Sequence, residues 1–421
     1  MRHSKARLHH LTMAVASCLL ASTALAVDWP QFRGPNRDGI SRETGLLKSW
    51  PAGGPKVLWK IPVGEGYSHL TVSKGRLFTL YGEGANDYAA AYDAATGKQL
   101  WKVPLGRKFI NGEGNGPRST PTVDGDMVYA LTATGRLAAL KAADGKKVWE
   151  HDLQAEFGAE PPQWGVSTSP LIEGNLLLID AGGSGGKSLV ALDKKTGKTV
   201  WTSQSELAGY SAPIAITVGG VRQVIFFTGR AVLSVSPKDG KLFWRVPWKT
   251  DWDVNAATPI FMPPDKLYIS SGYGTGAALF KIEVAGGRVG AEEVWRSRGM
   301  KNQFSSSVLH NGHIYGFDNS VLKCIEAATG KEKWKESGFG HGSLILADGH
   351  LIVLSERGKL LLVEATPAGY CEKGSGQVLS GKCWTAPTLA DGRLYLRNEE
   401  ELLALNWTGA APKPAAAKKG R

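Results

Sequence analysis

The segment AGGSGGKS, residues 181–188, has the residue types of a phosphate-binding loop. Its glycines would let backbone N–H groups surround a phosphate, and Lys187 would add a positive charge. An apolar stretch at 176–180 precedes it, as a nucleotide-binding loop requires. Such a loop must also be followed by a helix, because the free N–H groups at a helix N-terminus point at the phosphate. The residues after Ser188 therefore decide between a nucleotide site and an ordinary turn.

Acidic side chains offer a second kind of chemistry. Asp251 and Asp253 are two residues apart in WKTDWDVN, close enough to share a Ca²⁺ ion. Asn255 in the same segment and Glu113 in NGEGNG are further candidates for oxygen donors. Pairs of this kind more often cap turns or lie solvated in loops. Asp251 and Asp253 are therefore weak calcium candidates, and no metal site is predicted.

A repeated segment organises the chain around these residues. It reads YDAATGKQLW at 92–101 and returns at 140–149, 192–201, 235–244 and 325–334. Three shorter copies extend the series, and the shared tryptophans lie 39 to 52 residues apart. A drifting period of about 40–50 residues is that of a β-propeller blade. The shared tryptophans are Trp59, Trp101, Trp149, Trp201, Trp244, Trp295, Trp334 and Trp384.

Each repeat also contains the signals of four antiparallel strands. A small residue followed by proline opens the first strand, as at Thr120 and Pro121, where proline removes no needed ladder bond. A pair such as Asp124 and Gly125 then forms a hairpin turn, because both residues can take a positive φ. The third strand ends at the Thr-Gly-Lys turn, and the fourth ends at the tryptophan. This pattern predicts one propeller blade per repeat.

The two ends of the repeat region complement each other. The segment KVLW at 56–59 is a fourth strand without the preceding three, whereas 385–407 supplies three strands without a fourth. Pairing them closes a ring and removes the open sheet edge. The sequence therefore predicts an all-β, eight-bladed β-propeller of four-stranded antiparallel blades over 27–409, closed by an N-terminal strand that completes the last blade. The recurring tryptophans are expected to lock neighbouring blades together, since a buried indole covers about 150–250 Å².

The propeller answers the question about the phosphate-binding loop. The residues after Ser188 read LVALDKKTGKTVW, which is the third and fourth strand of a blade and not a helix. AGGSGGKS is therefore expected to connect two strands, and no nucleotide binding is predicted. Nucleic acid binding is not predicted either, because no basic stripe with interleaved aromatic residues is present. Of the net charge of +12, the first 26 and last 14 residues together contribute seven positive charges.

The N-terminal residues have the pattern of an export signal. Three basic residues precede an apolar run, and Ala24 and Ala26 provide small residues for cleavage, so residues 1–26 are predicted to be a signal peptide. Alternatively, VASC resembles a bacterial lipobox, and lipidation of Cys18 would tether the protein to a membrane. The rest of the chain has no segment long and apolar enough for a transmembrane helix. The protein is predicted to be exported, either periplasmic or secreted.

Cysteine spacing is informative in an exported protein. Cys371 and Cys383 are close in sequence and are predicted to form a local disulfide. Cys324 lies in an apolar strand and is expected to be a buried free thiol. Residues 410–421 are rich in Ala, Pro and Lys and are predicted to form a disordered basic tail. A monomer is expected.

The loops before the first strand of each blade converge on the funnel mouth of a propeller. They carry polar and aromatic side chains that suit a small ligand or an extended peptide. An alternative interpretation is that these side chains only fill the axial channel and cap strands. The residues are His69, Arg118, Trp164, Tyr210, Asn255, Phe304 and His341.

The D-A-A-T-G-K-x-x-W repeat resembles the tryptophan-docking motif of the PQQ-like β-propeller family, over residues 28–407. The resemblance implies the fold and leaves the function open. One class in the family, the quinoprotein dehydrogenases, binds pyrroloquinoline quinone and Ca²⁺ and oxidises alcohols, often with adjacent cysteines. This sequence has no Cys-Cys pair. BamB-like members are instead exported scaffolds, and the opening DWPQFRGPNRDGIS at 28–41 resembles uncharacterised secreted members.

The sequence therefore favours an exported, non-catalytic propeller that binds or scaffolds protein partners in the cell envelope. No catalytic residue and no cofactor are predicted under this interpretation. One alternative is a quinoprotein alcohol dehydrogenase that depends on PQQ and Ca²⁺. Another is a propeller that binds a small ligand or a polymer.

Overall fold

The computed structural model describes residues 27–51 and 54–408. The predicted signal peptide, the Cys18 lipobox and the predicted basic tail lie outside the described residues. Within the described part, the regular elements are β-strands and one short α-helix. No helix in this part is long and apolar enough to cross a membrane.

The strands form eight separate sheets, one for each blade. Two strands precede the first complete blade, β1 (Ile40–Ser41) and β2 (Val57–Pro62). Blade 1 contains β3 (Thr71–Ser73), β4 (Arg76–Glu83), β5 (Asn86–Asp93) and β6 (Gln99–Arg107). Blade 2 contains β7 (Thr122–Asp124), β8 (Met127–Leu131), β9 (Arg136–Lys141) and β10 (Lys147–Asp152), followed by helix α1 (Leu153–Phe157). Blade 3 contains β11 (Leu171–Glu173), β12 (Leu176–Asp180), β13 (Leu189–Asp193) and β14 (Thr199–Ser203).

The remaining blades repeat this order. Blade 4 contains β15 (Ile214–Val218), β16 (Val221–Phe227), β17 (Ala231–Val235) and β18 (Leu242–Pro247). Blade 5 contains β19 (Ile260–Met262), β20 (Lys266–Ser271), β21 (Gly276–Ala285) and β22 (Arg288–Ser297). Blade 6 contains β23 (Val308–His310), β24 (His313–Asp318), β25 (Val321–Glu326) and β26 (Glu332–Glu336). Blade 7 contains β27 (Ser343–Ala347), β28 (His350–Leu354), β29 (Lys359–Glu364) and β30 (Glu372–Gln377), and blade 8 contains β31 (Thr388–Ala390), β32 (Arg393–Arg397) and β33 (Glu401–Asn406).

The predicted ring closure is confirmed. Strand β2 pairs antiparallel with β33, from Val57 opposite Leu405 to Pro62 opposite Glu401. The N-terminal strand therefore supplies the missing fourth strand of blade 8. The eight-bladed, all-β fold predicted from the repeat is confirmed, and AGGSGGKS lies between β12 and β13 as expected.

Tryptophans near the starts of the fourth strands dock on the next blade. The prediction that the fourth strand ends at its tryptophan is wrong, since β6 continues from Trp101 to Arg107. The indole N–H of Trp59 donates to the Ala94 carbonyl at 3.2 Å, and that of Trp101 donates to the Ala142 carbonyl at 3.0 Å. Each ring also covers a turn glycine of the next blade; a Cβ on Gly97 would lie 2.8 Å from the Trp59 ring. That glycine has a φ of +74°, so both its backbone conformation and the close approach require glycine. Trp149, Trp201, Trp295 and Trp334 donate to carbonyls of the next blade in the same way, whereas Trp244 donates to Gln223 of its own blade.

The prediction that Trp384 locks two blades is wrong. The fourth strand of blade 7 is β30, which ends before Trp384, and Gly374 occupies the tryptophan position beside its bulge. The indole of Trp50, from the N-terminal segment, covers this glycine instead: a Cβ on Gly374 would lie 2.9 Å from its Cε2. Trp50 also donates to the Ser375 carbonyl at 3.2 Å and packs against Trp407 with ring centroids 5.3 Å apart. An indole from a remote segment therefore replaces the missing one.

Residues 28–41 form a segment that we call the N-terminal plug, because it closes the axial channel. Trp29 bridges to Val72 in blade 1, and β1 pairs parallel with β27 in blade 7. Between these contacts, Arg33 donates to the Ser307 carbonyl at 2.6 Å, and Arg37 donates to carbonyls that include Ser169. The plug therefore contacts the inner edges of blades on opposite sides of the ring.

The predicted disulfide is also wrong, because Cys371 and Cys383 are free thiols. Strand β30 separates them, and its six residues extend the chain by roughly 20 Å. Cys383 is buried beside the carbonyls of Ser380 and Gly381, whereas Cys371 lies partly exposed at the start of the strand. Cys324 is a buried free thiol, as expected.

Candidate functional site

A cavity of about 410 Å³ opens at the funnel mouth, on the face formed by the loops that lead into the first strands. Six aromatic side chains form most of its wall, five from these loops and Tyr273 from the turn between β20 and β21, and polar side chains lie between them. The aromatic residues are Tyr67, Trp164, Tyr210, Tyr273, Phe304 and Trp384. The polar residues are His69, Glu113, Arg118, Ser167 and Gln303.

The N-terminal plug forms the bottom of this cavity. Phe32 reaches the lining and packs edge-on against His69, with ring centroids 4.9 Å apart. Desolvation, together with the nearby Arg33 and Arg397 guanidinium groups, lowers the pKa of His69 to about 3. His69 is therefore a neutral imidazole at physiological pH. The cavity is therefore open at the funnel mouth and closed at its bottom, and it does not continue into an axial channel.

Stacked rings fix the geometry of the wall. Trp384 lies between Tyr67 and Phe304, with centroid distances of 5.2 and 4.8 Å. Its indole N–H donates to Glu356 at 3.0 Å, which holds the ring in place. On the other side, Trp164 packs against Tyr210 with centroids 6.0 Å apart. These contacts hold the rings of the wall in place by packing and a hydrogen bond of this chain's own residues.

Two cations lie against the aromatic wall. The Arg118 guanidinium is 5.4 Å from the Tyr67 ring centroid, and the Lys382 ammonium is 4.2 Å from that of Trp384. The Arg118 donors go to backbone carbonyls, including Trp164 at 2.8 Å and Gly114 at 2.6 Å. Burial lowers the pKa of Arg118, with no carboxylate in hydrogen-bond contact among the described residues. Arg118 therefore holds the loops together and has little capacity left for a ligand.

The pocket also contains polar groups that remain available. The side-chain amide of Gln303, the Tyr273 hydroxyl and the Trp164 indole N–H lie at the lining, and none of them has a hydrogen-bond partner among the described residues. The ring nitrogens of His69 are similarly free in this part of the chain. Glu113 is exposed at the rim. The free groups inside the pocket are therefore uncharged donors and acceptors.

Five of the seven residues predicted for the funnel mouth line the pocket, namely His69, Arg118, Trp164, Tyr210 and Phe304. The other two do not. Asn255 is buried, donates to the carbonyls of Thr228 and Trp248, and accepts from Ser271 at 2.6 Å. His341 packs behind Phe304, with centroids 5.3 Å apart. Asn255 and His341 thus support the loops from behind.

Other lining residues were not predicted from the sequence. Tyr67 and Gln303 are neighbours of predicted residues in the same loops, so the loop positions could have indicated them. The spacing of Trp384 fits the repeat and predicts a blade contact, whereas the side chain lines the pocket. Phe32 reaches the pocket only through the plug, and nothing in the local sequence indicates that.

The weak calcium candidates do not form a metal site. Asp253 is paired with Arg230, whose two nitrogens lie 2.8 and 2.9 Å from its carboxylate oxygens. Asp251 lines a separate cavity with Lys249 and Arg298. No cluster of three or more metal-binding side chains occurs in residues 27–51 and 54–408.

The pocket also does not fit pyrroloquinoline quinone with Ca²⁺. The quinone carries three carboxylates, but the Arg118 donors already bind backbone carbonyls. The lining offers one carboxylate, Glu113, where Ca²⁺ prefers six to eight oxygen ligands. We therefore derive no reaction step through this cofactor.

Comparisons with known proteins agree with this architecture. The outer membrane protein assembly factor BamB of Burkholderia pseudomallei is 26% identical over 312 residues, covering 71% of this chain and 74% of that protein. BamB of Yersinia pestis is 24% identical over 367 residues, covering 82% and 86%. The quinoprotein alcohol dehydrogenase PedH of Pseudomonas putida is 28% identical over 158 residues, but these cover 36% of this chain and 25% of PedH.

Solved structures show the same fold. BamB from Moraxella catarrhalis superposes with a TM-score of 0.57 at 14% identity, covering 84% of this chain and all of that one. A quinohemoprotein alcohol dehydrogenase from Pseudomonas putida gives 0.62 at 13% identity, covering 92% and 82%. The family model described as outer membrane protein assembly factor BamB matches residues 85–336, more than half of the chain. This chain therefore belongs to the BamB family of PQQ-like β-propellers.

Proposed function

We propose that this protein is an exported, non-catalytic propeller that binds protein partners in the cell envelope through its funnel face. The observation that carries the proposal is an arc of exposed apolar side chains on the loops that also form the pocket. Ile110 is 67% exposed, Trp252 66% and Leu207 45%. Large apolar side chains at this exposure, clustered on one face, are typical of a contact surface.

The loops that carry these residues are joined to one another. Asn111, next to Ile110, donates to the Gln163 carbonyl of the following loop at 3.1 Å. Tyr210 donates its backbone N–H to the Asn255 carbonyl at 3.0 Å, which links the loop of Leu207 to that of Trp252. Trp164 packs against Tyr210 with ring centroids 6.0 Å apart, which joins the two pairs of loops. The three apolar residues therefore lie on connected loops around part of the pocket.

Trp252 is held in an unusual conformation. Its φ is +99°, which is uncommon for a bulky residue, and the next residue, Asp253, has a φ of +54°. The Arg230–Asp253 pair anchors this turn. Backbone strain of this kind is concentrated at functional sites. Tryptophan is also enriched among the residues that dominate binding energy, so both observations support a contact role for Trp252.

The relatives are consistent with this role. Proteins named as outer membrane assembly factors align over most of their length with this chain. We infer a similar location for this protein, outside the cytoplasm and in contact with envelope proteins. We also infer that it works without PQQ and Ca²⁺, because the donor set of the pocket does not suit them.

Site-specific photocrosslinking in the native envelope tests the proposal. A photoreactive phenylalanine analogue is placed at position 252 or 110, and as a matched control at Val200, which is 51% exposed on the outer edge of blade 3. We expect discrete crosslinked protein bands from positions 252 and 110 and none from 200. Equal labelling from all three positions, or from none, would refute a binding face at the funnel.

A further inference from the structure

We propose that the funnel pocket binds an uncharged sugar ring of an oligosaccharide or polysaccharide. The inference concerns the pocket, whereas the proposed protein contact concerns the apolar arc around it. It rests on the proposed function only in taking the funnel face as the binding face. Either inference can fail while the other holds.

The wall of the pocket suits a flat, partly apolar ligand. Trp384, Tyr67 and Phe304 form one stacked group, and Trp164 and Tyr210 form another. Rings held in this way give large contact areas at a low cost in conformational entropy. A pyranose ring has apolar C–H faces that pack on aromatic rings, while its hydroxyl groups project from the edge.

The charges at the wall disfavour cationic ligands. Lys382 lies 4.2 Å from the Trp384 ring centroid and 5.9 Å from that of Tyr67, and Arg118 approaches Tyr67 from 5.4 Å. The ring faces that would attract a quaternary ammonium group already interact with cations of this chain. A cationic ligand would therefore meet like charges at both Tyr67 and Trp384.

Anionic ligands are disfavoured for a different reason. Strong anion sites use a guanidinium with free, parallel donors. The donors of Arg118 are directed to the carbonyls of Trp164, Gly114 and Gly116. Lys382 donates to the Glu113 carbonyl at 2.9 Å, and the Glu113 carboxylate lies at the same rim. An anion would have to displace these bonds and approach a carboxylate.

The remaining polar groups match hydroxyl groups. Gln303 offers both an amide donor and an acceptor, Tyr273 offers a hydroxyl, and Trp164 offers an indole N–H, all without partners among the described residues. His69 is neutral because of its lowered pKa, so its imidazole can donate with one nitrogen and accept with the other. A ligand that carries many hydroxyl groups can satisfy this set, whereas an aromatic or aliphatic peptide side chain leaves it unpaired.

The shape of the pocket is compatible with this class of ligand. Its volume of about 410 Å³ lies within the range of about 300–1,000 Å³ that is usual for small-ligand sites. Phe32 and His69 close the bottom, so the ligand must enter from the funnel face. A ring at the end of a chain, or a free oligosaccharide, could enter in this way.

A glycan array and a fluorescence titration test the inference. The mature protein is applied to an array of neutral, anionic and cationic glycans, and hits are titrated by following tryptophan emission, since Trp164 and Trp384 line the pocket. We expect saturable binding of neutral glycans, at least tenfold tighter than that of anionic or cationic ones. Free oligosaccharides and polymer ends are compared to distinguish the two sources of the ring.

Two variants of lining residues test whether the glycan binds in the pocket. Gln303→Ala and Trp164→Ala are expected to weaken neutral glycan binding by at least tenfold, with thermal unfolding that stays cooperative. Val200→Ala, on the outer edge of blade 3, is the control and should leave glycan affinity unchanged. If no neutral glycan binds, or if charged glycans or aromatic peptides bind more tightly, the inference is overturned. It is also overturned if Val200→Ala weakens glycan binding as much as Trp164→Ala. Loss of glycan binding with intact crosslinking at position 252 would leave the protein contact standing.

Discussion

Two buried carboxyl groups behind the pocket, those of Asp87 and Asp180, have raised pKa values. The side chain of Asp87 is buried, and neither oxygen makes a hydrogen bond among the described residues, although the Phe109 N–H is near. Desolvation raises its pKa to about 7. Asp180 is similar: it accepts from the Gly209 N–H at 3.0 Å, and desolvation raises its pKa to about 7. Both lie beneath loops that form the pocket.

The stability of the protein should therefore depend on pH through Asp87. The folded-state pKa lies above the ordinary value of 3.8, so the folded protein keeps a proton that the unfolded chain loses. Stability then falls as pH rises from about 4 to about 7. We expect Asp87→Asn to be about 1–3 kcal/mol more stable than the native protein at pH 8 and nearly equal at pH 4. Denaturant unfolding at both pH values measures this, with Asp251→Asn, an exposed carboxylate, as the control; an equal gain at both pH values would contradict it.

Trp50 provides a second test at the scale of one residue. It covers Gly374, where the other blades carry a tryptophan of their own. We expect Trp50→Ala to lower the free energy of unfolding by about 2–4 kcal/mol through the lost packing and the cavity left behind. Trp252→Ala removes an exposed indole and should change it by less than about 0.5 kcal/mol.

A pair of glycine variants tests the contact between Trp50 and Gly374 at the glycine. A Cβ on Gly374 would lie 2.9 Å from the Trp50 ring, whereas one on Gly376 would have nothing closer than 3.4 Å. Gly374→Ala should therefore lower the melting temperature and Gly376→Ala should not. Equal melting temperatures for the two would mean that Trp50 does not occupy the docking position.

At the scale of elements, the sequence predicted the strands well and the N-terminal plug not at all. The strands are indicated by repeated turns and tryptophans, which are local signals. The plug has no repeat, and its contacts join residues far apart in the chain, such as Arg33 with Ser307 and Arg37 with Ser169. Phe32 reaches the pocket through these contacts, so no local pattern could have placed it there.

The plug should contribute strongly to stability through Arg37. Its guanidinium is buried without a carboxylate partner among the described residues, and it donates to carbonyls of blades 3 and 4, including Ser169 and Pro213. Arg37→Ala leaves these carbonyls unsatisfied, and each buried acceptor without a partner costs about 1–3 kcal/mol, so we expect a loss of about 3–5 kcal/mol in unfolding free energy. Arg42→Ala, an exposed arginine just after the plug, is the control. A loss below about 1 kcal/mol for Arg37→Ala would show that the channel does not depend on the plug.

At the scale of the whole molecule, the repeat was sufficient to predict eight blades and their closure. The period set the number of blades, and the complementary ends, β2 and β33, set the closure. The pocket was only partly predictable. The loops could be assigned to one face from their position in each repeat, but which side chains point inward depends on loop conformations that are not repeated. Asn255, which turns into the core, and Trp384, which turns into the pocket, show this difference.

We propose that this propeller binds its partners without quinone catalysis, and cofactor reconstitution is the decisive test. The purified protein is incubated with pyrroloquinoline quinone and Ca²⁺. Cofactor absorbance and alcohol-driven dye reduction are measured, with a reconstituted quinoprotein alcohol dehydrogenase as the positive control. We expect no saturable cofactor binding and no dye reduction above that of the free cofactor. Saturable binding of the quinone together with alcohol-dependent turnover would contradict it.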